Sequence, residues 1–156
     1  MAGRGVNANK SQAVPAVDVD IITPLSSRAL YWRLRYNADS AFLGFMPFLF
    51  WLVETALPNV TVALGVNAAV PYFGVCQAVD KLGIGSTCFG FEPLSDAAPS
   101  GLPNGLHEEV VAHNRQFYAD FSQIEAIDLR DAATRIGKAP VDLLVLNLPV
   151  GAALLP

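Results

Sequence analysis

The sequence predicts an α/β fold, a three-layer sandwich of about four parallel strands with flanking helices and an N-terminal helix, and three observations predict it. Short apolar runs alternate with helical patterns along most of the chain, as they do in doubly wound units. The run Val60 to Leu64 is apolar and β-branched, the composition of a strand covered on both faces, and Gly65 follows it at once. A second apolar run, Cys88 to Phe91, ends at an acid, Glu92.

The elements follow in chain order. Met1 to about Pro15 is small, polar and glycine-containing and reads as a flexible tail, leaving residues 16–156 as a single domain. Arg28, Arg33 and Arg35, with Tyr31 and Trp32 between them, read as a solvated arm, ahead of a contact with an anionic ligand or headgroup. Ala41 to Val53 is an almost unbroken apolar run of thirteen residues, too short to cross a bilayer, which takes about 20. It lacks a basic polar face, so a helix packed on the sheet is expected, with Pro47 in its first turn, and membrane contact is not.

Pro71 opens the next helix. Tyr72, Val75, Cys76, Val79 and Leu82 recur at helical spacing, and Gly83 and Gly85 supply the stop. After the second strand comes the Pro-, Ser- and Ala-rich stretch Pro93 to Leu102, in which Asp96 reads as a loop residue. From Leu106 a helix is predicted with Val110, His113 and Phe117 on its packed face, while His107 and Glu108 fall on the surface. His113 then reads as a core histidine with one satisfied hydrogen bond, ahead of a catalytic base. Ser122 to Ala126 is a short strand, Asp128 an N-cap for a helix from Leu129 to Ile136, and Gly137 its stop. Val141 to Leu148 is the best strand in the chain on composition.

A strand, a tight glycine turn, a helix and a second strand ending in an acid form the front half of a nucleotide-type unit. In such a unit the acid meets the hydroxyl pair of a ribose. Gly65 is read as the point where backbone approaches the ligand, with a plain turn glycine as the simpler account. Glu92 is either that ribose acid or a solvated strand end, and Asn67, in the glycine loop, could hydrogen-bond the same ligand. A nucleoside-bearing ligand is therefore expected.

Phe48 to Glu54, Val62 to Gly65, Tyr72-Phe73 with Cys76 to Val79, and Ala112-His113-Asn114 together resemble the class I S-adenosylmethionine-dependent methyltransferases of bacteria. The resemblance is to the group often found beside or fused to glycosyltransferases, and it covers about residues 40 to 148. It implies a Rossmann-like sheet, S-adenosylmethionine as methyl donor at the carboxyl ends of the first strands, and a sugar or glycan hydroxyl as acceptor. The family's first motif is an acid, any residue, a glycine, three residues and a second glycine. Here those positions hold Ala63, Gly65 and Ala69.

Loss of the acid leaves the amino-acid end of the donor without a partner, about 1 to 3 kcal/mol. If position 69 needs a positive φ, alanine adds roughly 1 to 2 kcal/mol of strain. Where the family has a second acid, then Gly and His, this chain has Asn147, Leu148, Pro149 and Val150. These departures imply weaker donor binding and a truncated or degenerate member whose sheet stops at its fourth strand.

Composition bounds the alternatives. Hydrophobic residues make up 53% and charged residues 15% of the 156, more apolar than is usual for a soluble domain, as an unfinished sheet awaiting a second copy or another chain would be. A formal charge of −4 without a basic cluster argues against nucleic acid. Cys76 and Cys88 read as buried free thiols, no Cys or His pair has metal-ligand spacing, and a cytoplasmic setting is expected. Two functions stand: a methyltransferase of the S-adenosylmethionine family, completed by a second chain if need be, and a non-catalytic relative serving as an interaction module.

Overall fold

A computed structural model describes residues 28–67, 69–94 and 106–148. The tail Met1 to Pro15, Asp96 and the residues after Leu148 lie outside them. Four strands, β1 (Val60–Leu64), β2 (Thr87–Pro93), β3 (Ser122–Ile127) and β4 (Leu143–Leu146), form one parallel sheet in the order β3-β2-β1-β4. With helices on both faces this is the α/β Rossmann-like fold that the alternating pattern predicts. Helices α1 (Met46–Ala56), α2 (Val70–Leu82), α3 (Glu108–Phe117) and α4 (Leu129–Ile136) complete it.

The alternation of β1 divides the core. Ala63 faces the larger cluster, beneath α2 and with α1, while Val62 faces a smaller one with Phe91, Ile127 and Ala132 of α4. Every residue from Val70 to Val79 of α2 is buried, so this helix is covered on all sides and not on the single face its spacing suggests. A Cβ at Gly74 would lie 2.0 Å from Met46 Cε, so the tip of that α1 side chain occupies the space a methyl group would take.

The arginine arm keeps Arg28, Arg33 and Arg35 exposed, as a solvated arm would, but its backbone straps α2. Gln77, buried in the middle of α2, is the reason: its Oε1 accepts from Arg35 N–H at 2.6 Å and its Nε2 donates to the Arg33 carbonyl at 2.7 Å. A buried amide left unpaired would cost about 1 to 3 kcal/mol, which the strap avoids. The Arg35 side chain pairs with Asp80 at 3.0 Å and lies 5.1 Å over the ring of Phe117. Ahead of α1, Leu43–Phe45 forms one turn of 3-10 helix, and Pro47 falls in the first turn of α1 as expected.

β4 is shorter at both ends than its apolar run. Asp142 turns its carboxylate onto the N–H groups of Asn59 and Val60, at 2.8 and 3.0 Å, and these bonds hold its pKa below the ordinary carboxylate value. Asn147 turns its amide onto the Gly65 carbonyl at 3.2 Å. Leu144 and Leu146 are 52% and 55% exposed, because the face carrying them continues the Val62 and Leu64 face beyond the reach of α4. Among the described residues no helix is long and apolar enough to cross a membrane.

Candidate functional site

Strand order reverses at β1, whose neighbours are β2 on one side and β4 on the other, so the carboxyl ends of these strands border the crevice where open parallel sheets take ligands. Gly65 leaves β1 with φ +86°, and its N–H donates to the Phe91 carbonyl at 2.8 Å. A Cβ at this position would stand 2.1 Å from the Asn147 carbonyl oxygen, so the chain's own β4 end already requires glycine here. The turn closes with Ala69 N–H on the Val66 carbonyl at 2.8 Å, and Ala69 takes φ +29°, the positive φ its place in the motif anticipates.

Glu92 does more than sit at a strand end. Its Oε2 accepts from the N–H groups of both Val66 and Asn67, at 2.7 and 2.9 Å, so the carboxylate closes the loop that follows β1. Asn67 extends the connection: its Oδ1 accepts the His107 N–H at 3.1 Å, at the start of α3. The three candidate residues Gly65, Asn67 and Glu92 are thus brought together within one bonded loop.

Beside that loop opens a cleft of about 500 Å³, lined by Tyr36, Ala38, Asn67, His107, Glu109 and Val110 with Glu108. Tyr36, His107 and Glu109 are additions that the sequence reading does not make. Tyr36 lies in the strap, remote in sequence from every motif, and His107 and Glu108 read as surface because a cleft wall is also exposed. Burial raises the Tyr36 phenol above its ordinary value, and Glu109 adds to the effect. Ala63 is 1% exposed in the main core and offers the cleft no polar group.

His113 is not the singly satisfied core histidine its helical face suggests. Its ring packs against Tyr36, Phe73 and Phe117 at centroid distances of 4.8, 4.6 and 4.6 Å, and its buried Nε2 has no hydrogen-bond partner among the described residues. Burial lowers its pKa, and Arg35 lowers it further. Within this aromatic group burial also pushes the Tyr118 phenol up to about 12. His113 is not among the residues that line the cleft.

Under the loop a polar chain ties α2, α3 and the sheet together. Ser122 Oγ donates to Asn114 Oδ1 at 2.5 Å and meets the Tyr72 hydroxyl at 2.6 Å, while Asn114 Nδ2 donates to the Ser122 carbonyl at 3.1 Å. Cys76 Sγ reaches the same Ser122 hydroxyl at 3.8 Å, and burial holds its thiol well above the ordinary value. Both cysteines are free and buried, as expected from the sequence. Among the described residues no group of three or more His, Cys, Asp or Glu side chains lies together as a metal site would need.

No family model matches the chain. It is 32% identical over 110 residues to the uncharacterized protein y4gI of Sinorhizobium fredii, a match that takes in 70% of this chain and 12% of that protein. The chain thus spans about an eighth of its curated relative. Among solved structures it is similar to a "putative O-methyltransferase" from Klebsiella pneumoniae, with a TM-score of 0.50 and 16% identity over 72% of this chain and 46% of that one. That likeness is one of fold, a methyltransferase-like Rossmann sheet.

Proposed function

We propose that this chain binds S-adenosylmethionine at the carboxyl ends of β1 and β2 and is a methyltransferase-like protein acting on a sugar or glycan hydroxyl. The observation that carries the reading is the Glu92 carboxylate, fixed by two loop N–H groups at the end of β2 beside an open cleft, on a methyltransferase-like fold. The residues fit the nucleoside end of such a donor. Glu92 Oε1 takes neither of the two loop N–H bonds and would receive the ribose hydroxyl pair. Asn67, on the cleft wall, would orient what lies over the loop.

When bound, the donor supplies an electrophilic methyl group on a sulfonium. The chain's part is to hold and orient it and to keep water from its reacting side. Ala63 gives the amino-acid end no partner, so the affinity is expected to be modest. The acceptor class rests on the resemblance to glycosyltransferase-associated enzymes, and a cytoplasmic setting goes with that reading.

Calorimetric titration with S-adenosylmethionine and S-adenosylhomocysteine tests this. Saturable binding is expected, weakened roughly 10- to 100-fold in Glu92→Ala, since hydrogen bonds to a charged group are worth about 1.5 to 3 kcal/mol and 1.4 kcal/mol is a decade. No binding at millimolar ligand by a folded chain rejects it. The second reading, an interaction module without catalysis, is favoured by the exposed Leu144 and Leu146 of β4, a surface of the kind that receives another chain. It would then be the one left.

A further inference from the structure

We propose that Glu92 fills the anion seat of this fold from within, so that the site takes nucleosides and excludes nucleoside phosphates. The inference rests on the nucleoside reading above and narrows its ligand class. In open parallel sheets the N–H groups where the first strand turns into its helix are the usual cradle for a phosphate. Here two consecutive N–H groups of that turn, Val66 and Asn67, converge on one oxygen, Glu92 Oε2, at 2.7 and 2.9 Å. A carboxylate oxygen stands where a phosphoryl oxygen would.

Two consequences follow for a ligand whose ribose meets Glu92. Its 5′ substituent runs over the loop, as in dinucleotide sites, and finds these donors already engaged. A phosphate there would also approach the Glu92 charge, with no lysine or arginine among the described residues lining the adjacent cleft to offset it. Adenosine or a 5′-thioether nucleoside meets neither obstacle. Glu92 is therefore a specificity-determining residue twice over, by acceptance of a diol and by refusal of an anion.

The test compares adenosine, S-adenosylhomocysteine, AMP, ADP and inorganic phosphate on the full chain, by calorimetry and thermal shift, for the wild type, Glu92→Ala and Glu92→Gln. The wild type should bind AMP and ADP at least about 10-fold more weakly than adenosine and give no shift with inorganic phosphate. Glu92→Ala, with the two N–H groups freed, should lose nucleoside affinity and gain a phosphate-dependent shift. Glu92→Gln keeps an oxygen for the N–H groups and removes the charge, so the ratio of AMP to adenosine affinity should move toward unity; this variant decides if the alanine form does not fold.

AMP bound by the wild type as tightly as adenosine, an unchanged ratio in Glu92→Gln, or a folded Glu92→Ala that ignores phosphate overturns the proposal. Failure of the nucleoside reading has a separate signature. The wild type would then bind neither adenosine nor S-adenosylhomocysteine, while the phosphate arm alone would still uphold or overturn the filled seat.

Discussion

Gly65→Ala should be strongly destabilising, and its cost can be worked from the geometry. Gly65 has φ +86°, where an L side chain costs roughly 1 to 2 kcal/mol. The new Cβ would lie 2.1 Å from the Asn147 carbonyl oxygen and 2.8 Å from its carbon. That backbone must retreat by about 1 Å to reach van der Waals separation. Retreat strains two hydrogen bonds, Asn147 N–H to the Leu64 carbonyl at 2.9 Å and Asn147 Nδ2 to the Gly65 carbonyl at 3.2 Å. Each is worth about 0.5 to 1.5 kcal/mol.

The total comes to about 2 to 5 kcal/mol, a large part of a small domain's stability. Gly83→Ala is the control, because Gly83 has φ +63° with open space around its Cβ position and so carries the backbone cost alone. Urea unfolding followed by tryptophan fluorescence reads both variants. Gly65→Ala should be less stable than Gly83→Ala by about 1 to 3 kcal/mol with an unchanged denaturant slope. A difference under about 0.5 kcal/mol would mean that β4 does not press on Gly65, and the account of the switch point would be wrong.

Tyr72→Phe removes one member of the buried chain with Ser122 and Asn114 and should cost about 1 to 3 kcal/mol in the same urea assay; Ser122→Ala should then be non-additive with it, and full additivity would deny the network. For His113, the lowered pKa means that its contribution to stability is fully present above the ordinary imidazole value and is lost as pH falls through the lowered value. His113→Phe, which also removes the unpartnered Nε2, should therefore gain on the wild type as pH is taken from 7.5 to 5.5, by at most the one-proton limit of about 1.4 kcal/mol per pH unit. Parallel pH profiles for the two proteins would show that burial does not set that histidine's charge. The groups that face it are Arg35, Tyr36 and Tyr118.

The fold was legible where pattern and burial agree. Val60–Leu64 and Leu129–Ile136 have the bounds their composition predicts, since each combines a clean apolar pattern with an unambiguous stop or cap. The end bonds of β4 were not legible, because nothing local shows Asp142 and Asn147 turning their side chains onto β1 more than eighty residues away in sequence. The strap was not legible for the same reason: the arginines are exposed as they read, and nothing local shows that Gln77, in a helix forty residues on, needs their backbone. At the site, Gly65, Asn67 and Glu92 could be named from their places after two strands. The bonds joining Glu92 to the loop could not, since they depend on the backbone directions of residues 66 and 67.

In the proposed reading, the two departures at the glycine loop bear on binding more than on folding. An acid at position 63 would have to be accommodated at a site 1% exposed within the main core, where alanine packs without needing a partner; its replacement relieves the interior while taking a polar group from the ligand side. Ala69 at φ +29° carries strain that a glycine would not, yet the turn keeps its shape. It is held from three directions: by the Glu92 carboxylate on two N–H groups, by the Ala69 to Val66 bond, and by Asn147 against Gly65. A strained residue persists only where its surroundings over-determine it, and here those surroundings belong to β2, the turn itself and β4. The loop therefore keeps its turn without the second glycine, with Glu92 as the residue that closes it and, in the proposed reading, sets its selectivity.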